Sequence, residues 1–170
     1  MDAMCGVIVG AGTGTGAEVA KSLVQRGYSV VLARRTVDAL APLVDEIESV
    51  GGSAIAVETD AADENQVARL FEQAQSTFGP PEFVLYNAAG FTMGSITETT
   101  SEQFEEMWRA ASFGGFLVGR EAARRMVPHS RGTILFTGAT AAVKASASFS
   151  AFAAGKHGLR AVAQSMAKEL

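Results

Sequence analysis

The chain has 170 residues, 48% of them apolar, and 14 basic against 18 acidic side chains give a formal charge of −4. This composition fits one packed domain and excludes a disordered tail or a collagen-like fibre. The weak acidity lacks the basic footprint of a nucleic-acid partner, no uncharged apolar stretch is long enough to span a membrane, and the single Cys5 forbids an intrachain disulfide.

Short β-like runs alternate with amphipathic helical stretches from the first residues onward, the pattern of a parallel sheet covered on both faces. The expected strands are Met4 to Val9, Ser29 to Ala33, Ala54 to Glu58, Phe83 to Tyr86 and Thr133 to Thr137. Between the first two, Gly14 to Arg26 sets Ala17, Ala20, Leu23 and Val24 on one helical side and stops at Gly27. Thr36 is the expected cap of a helix whose Leu40, Leu43, Val44, Ile47 and Val50 point inward. Asp63 opens a third helix through Phe78, with Val67, Leu70, Phe71 and Ala74 inward. Thr100 and Gln103 have capping-box spacing and begin one long helix to about Met126. A last helix starts near Ser148 and reaches Leu170 with neither a glycine nor a proline stop. The expectation is therefore one domain over residues 1–170, an α/β doubly wound sheet in strand order 3-2-1-4-5, truncated after the fifth strand and its helix.

The first chemical signal is Gly10-Ala11-Gly12-Thr13-Gly14-Thr15-Gly16, which follows a strand and opens a helix. Glycines there let main-chain amides and the positive helix end approach a pyrophosphate, so the loop reads as a dinucleotide site; a merely structural turn is the alternative. Beyond it the second strand ends in Arg34-Arg35 rather than in an acidic residue. Two guanidinium groups suit a 2′-phosphate, which favours NADP(H) over NAD(H); a solvated surface pair is the other reading.

With these residues in place the chain resembles the short-chain dehydrogenase/reductase family along essentially its whole length. Gly10, Gly14 and Gly16 look like the family's cofactor glycines, and Asp60-Ala61 like its adenine-contacting segment. Asn87-Ala88-Ala89-Gly90 matches its Asn-Ala-Gly motif, with Tyr86 where a first Asn is common. Lys156, followed by Gly158-Leu159, falls in register with its catalytic helix. The resemblance implies hydride transfer between a nicotinamide and a carbonyl or alcohol carbon, with Lys156 on the nicotinamide ribose. It also implies a homodimer or homotetramer paired through the long and last helices, where Ala122, Ala123, Ala153, Ala161 and Ala163 permit close packing.

In the same register three catalytic positions are replaced: Ala111 stands for the family's Asn, Ala139 for its Ser and Phe152 for its Tyr. Losing the acid costs roughly 10² to 10⁴ in rate, and losing an oxyanion donor roughly 10² to 10³. Thr140, beside Ala139, is the best substitute hydroxyl, ahead of Thr137, Ser146, Ser148 and Ser150, while Tyr28 and Tyr86 lie in the cofactor half. His157 sits ~100° around the helix from Lys156 and points elsewhere. Phe113, Phe116, Phe149 and Phe152 either line an apolar substrate cleft or belong to the core. Two functions follow: an NADP(H)-dependent cytoplasmic oxidoreductase with impaired or altered chemistry on an apolar carbonyl or alcohol, or a catalytically silent NADP(H)-binding sensor or partner subunit. No metal ligands are assigned.

Overall fold

The structure, a computed structural model, describes residues 4–88 and 90–170. Five parallel strands, β1 (Met4–Val9), β2 (Tyr28–Arg34), β3 (Ala54–Glu58), β4 (Pro81–Tyr86) and β5 (Thr133–Phe136), form one sheet in the order β3-β2-β1-β4-β5. The helices are α1 (Thr15–Val24), α2 (Ala41–Ser49), α3 (Glu64–Phe78), α4 (Ser101–Trp108), α5 (Gly114–Met126) and α6 (Ser150–Glu169). This is the doubly wound α/β fold expected from the alternating pattern.

The period of two along each strand divides the apolar run between two cores. Val7 and Val9 of β1 pack with α3, α5 and α6 through Val67, Phe71, Leu117 and Leu159. Ile8 faces the opposite way, against α1 and α2, with Leu32, Leu43 and Ile47. Both faces of β1 are therefore buried, which is why its sequence is continuously apolar rather than alternating. Val9 pairs with Ala33 and with Tyr86, and Tyr86 with Phe136, so four strands end level at one edge. The strand order reverses there, between β1 and β4.

Helix starts follow local chemistry in part. Asp63 caps α3 by accepting from the Gln66 amide at 3.0 Å, and Thr100 with Gln103 closes a full capping box on α4. Thr36 does not cap its helix by a side-chain bond: a 3₁₀ turn over Val37–Leu40 intervenes before α2. Val50, expected inward, is the C-cap residue of α2 and is exposed. The long helix is not continuous, because a π-helical segment, Arg109–Phe113, separates α4 from α5. The last helix begins at Ser150, with Phe149 rather than Ser148 at its N-cap.

Three further expectations change with packing. Phe113 stacks between Trp108 of α4 and Phe116 of α5, while Phe149 and Phe152 pair with Phe91. Ala122 and Ala153, expected at a helix-pairing surface, are buried within the chain itself. β5 stops at Phe136, one residue before Thr137.

Candidate active site

The level strand ends are closed by the loop after β1. Gly10 and Ala11 both donate to the Ala33 carbonyl, at 2.8 and 3.2 Å, which folds the chain over the end of β2. Gly10 has φ +85°, and a side chain there would collide with the Ala88 backbone. Only glycine fits this position. Gly16 is buried against Ala11, whereas Thr13, Gly14 and Thr15 are exposed at the amino end of α1, which no side chain caps. Main-chain amides at that end thus remain available to an anion.

Beside this loop lies a cleft of about 320 Å³. Its floor is Gly10, Ala11 and Gly12; Arg34, Arg35 and Thr36 form one wall, Asp60 and Ala61 the next, and Asn87, Ala88 and Gly90 the far end. Ala89 of that last motif lies outside the described residues. Asp60 is held in place by its Oδ1, which accepts from the Ala62 amide at 2.9 Å, while Gln66 Oε1 accepts from its amide at 2.9 Å. Among the described residues neither Arg34 nor Arg35 takes part in an ion pair. Arg35 is exposed and Arg34 half-buried.

A chain of hydrogen bonds crosses from the cleft to α6. Asn87 Nδ2 donates to the Gly10 carbonyl at 3.0 Å, Thr137 Oγ1 donates to Asn87 Oδ1 at 2.8 Å, and Lys156 Nζ donates to the Thr137 carbonyl at 2.9 Å. Four separate segments are fixed by these three bonds. Lys156 is only 4% exposed, and burial pushes its ammonium pKa below the ordinary lysine range. It therefore points inward, as its register with Phe152 on one helix face requires.

Alanine at 111 and 139 and phenylalanine at 152 bring no side-chain donor. Ala111, fully buried, packs against Gly155 of α6, and Ala139 is half-buried ahead of the 3₁₀ turn Thr140–Ala142. Phe152 is half-buried, with its ring 5.4 Å from that of Phe91. Thr140 is exposed at the head of its turn, while Thr137 and Ser112 already donate, Ser112 Oγ to the Gly155 carbonyl at 2.9 Å. His157 faces solvent with Nδ1 2.9 Å from the Ala153 carbonyl. Two contacts escaped the sequence reading. Tyr86 is buried and its hydroxyl donates to the Ala110 carbonyl of the π segment, and burial pushes its phenol pKa far up. Ser112 sits where Gly158 leaves room, a glycine whose spacing from Lys156 was the available signal.

A family model described as short chain dehydrogenase matches residues 5–170. The chain belongs to the short-chain dehydrogenase family. Members of this family bind nicotinamide dinucleotides and act on small molecules. A solved short-chain dehydrogenase from Rhodopseudomonas palustris is 43% identical, superposes with a TM-score of 0.95, and is matched over 98% of this chain and 78% of its own. Versicolorin reductase stcU of Emericella nidulans is 36% identical over 85% of this chain and 54% of its own length. A probable tetrahydroxynaphthalene reductase of Zymoseptoria tritici is 33% identical over 74% and 48%. The chain thus spans about half the length of these two reductases. No helix among the described residues is long and apolar enough to cross a membrane.

Proposed function

We propose that the cleft takes NADP(H) and that the chain is part of a cytoplasmic oxidoreductase acting on the carbonyl or alcohol of an apolar, aromatic compound, with weakened proton transfer. The site fits such a dinucleotide: a glycine floor that a side chain would fill, an uncapped helix end for the pyrophosphate, and Asp60-Ala61 for the adenine. The names of the two fungal reductases support an aromatic substrate. When bound, the dinucleotide supplies or accepts hydride.

This chain's own residues bind and orient. Gly10, Thr13, Gly14, Thr15 and Gly16 receive the phosphates; Asn87, Ala88 and Gly90 wall the nicotinamide end; Lys156 donates to the ribose. With no hydroxyl at 139 or 152, the proton for the developing alkoxide comes by way of Thr140 and water, a poor acid. The same absence favours a second reading, a catalytically silent NADP(H)-binding subunit or sensor. Self-association as a homodimer or homotetramer accompanies either reading.

The observation that carries the cofactor choice is the pair of guanidinium groups at Arg34 and Arg35, free of ion pairs among the described residues and lining the cleft. Calorimetry with NADPH and NADH tests it. Arg35→Ala should weaken NADPH by roughly 10- to 100-fold, the worth of hydrogen bonds to a charged group, and leave NADH unchanged. Equal losses for both would overturn the choice of NADPH. Consumption of NADPH across a panel of aryl ketones separates the enzyme from the silent subunit.

A further inference from the structure

The segment between β4 and α4 carries Phe91, Met93 and Ile96, exposed at 71%, 66% and 77%. Large apolar side chains exposed in a connecting loop that starts at Gly90, a lining residue of the cleft, suit a binding surface. Of the three, only the Phe91 ring is held by others: its centroid lies 5.4 Å from Phe152, edge-on, and 5.8 Å from Phe149, tilted. Those are the spacings of attractive aromatic pairs. The loop is tied down as well, since the Gly94 amide donates to the Ser148 carbonyl at 2.9 Å and Thr99 Oγ1 donates to the Ser95 carbonyl at 2.9 Å. Ser148 and Phe149 lead directly into α6, so the loop and the helix bearing Lys156 are one unit.

We infer that Phe91, buttressed by Phe149 and Phe152, is the stacking platform that selects planar aromatic carbonyl compounds and phenols over saturated rings of the same size. The inference rests on the dinucleotide reading of the adjoining cleft: Phe91 directly follows Gly90, which lines that cleft, and Phe152 stands one helical turn before Lys156, which is tied through Thr137 to Asn87 of the same lining. One edge-on and one tilted ring orient the third and leave most of it open, and the tied loop keeps the ordering cost of binding small. A saturated ring gains burial against this surface; a flat aromatic ring gains burial and offset stacking.

Calorimetry on the chain, with and without NADPH, compares 2-naphthol with its saturated counterpart 2-decalol. The wild-type chain should bind 2-naphthol about 2- to 10-fold more tightly, the range that aromatic pairing adds. Phe91→Leu, which keeps apolar bulk and removes the ring, should bring the two ligands level with NADPH affinity unchanged, and Phe91→Tyr should restore the preference. A preference that persists in Phe91→Leu, or equal binding by the wild-type chain, overturns the platform. Absence of NADPH binding, by contrast, overturns the cofactor reading and is read independently of the naphthol ratio.

Discussion

Lys156 is the residue on which the proposed chemistry turns. Its side chain is buried and its ammonium donates to the Thr137 carbonyl. A positive charge without a phenol to acidify orients a ribose but does not protonate an alkoxide well. Phe152→Tyr combined with Ala139→Ser should therefore raise NADPH-dependent reduction of an aryl ketone by at least ~10²-fold, with less than the product of the two single gains because the groups act together. An initial-rate assay that finds no gain would show that the missing hydroxyls do not limit the chain. Asp63 carries a prediction of another kind. The Gln66 amide, its cap partner, and then the Gln66 side chain hold its carboxyl below the ordinary value of 3.8. A depressed carboxylate contributes stability that is fully present above the unfolded pKa and disappears as pH falls through the folded one. In urea titrations between pH 6 and 2, Asp63→Asn, which keeps a capping oxygen, should lose less stability on acidification than the wild-type chain; parallel pH profiles would exclude the cap as the titrating group.

Among the elements, the π segment between α4 and α5 is the one that local sequence does not announce. There the Gly114 amide bonds to the Arg109 carbonyl five residues back, so the Ala110 carbonyl lacks the partner that a regular α-helix supplies. The Tyr86 hydroxyl takes that carbonyl from the end of β4. Gly114 and Gly115 allow the approach, since a side chain on either would strike Tyr86 or Leu159. The bulge also turns Ala111 toward Gly155 and Ser112 toward the Gly155 carbonyl, which locks α6 and Lys156. Tyr86→Phe removes one hydroxyl and leaves a buried carbonyl unpaired, a loss of about 1–3 kcal/mol in equilibrium urea unfolding. A variant as stable as the wild-type chain would mean that the π segment holds itself.

Across the molecule, α4, the π segment and α5 carry a row of part-exposed aromatic side chains. Phe104, Trp108 and Phe116 are each about two-fifths exposed, Arg109 lies over Phe113 and Arg120 over Phe116. Part-exposed aromatic rings on neighbouring helical turns suit self-association. Sedimentation at micromolar concentration should find a dimer or tetramer, and Phe116→Glu should shift it toward the monomer. A monomeric wild-type chain would remove this row as the pairing surface. The small alanines expected there do a different job in part: Ala122 and Ala153 fill the chain's own interior.

The strands, their order in the sheet and the glycine loop after β1 were legible in the amino-acid sequence alone. Those follow from residue identity, from a period of two along the strands, and from a turn that only glycine at position 10 permits. Tertiary structure alone decided where the aromatic rings go, why Thr36 does not cap, and which groups hold Tyr86 and Lys156. A helical pattern states which side of an element is apolar, not which distant segment will meet it, and one inserted residue in a π turn rotates everything beyond it by about 100°. Phe113 and Phe152 look alike as apolar residues on helices; only the packing stacks one between Trp108 and Phe116 and sets the other against Phe91.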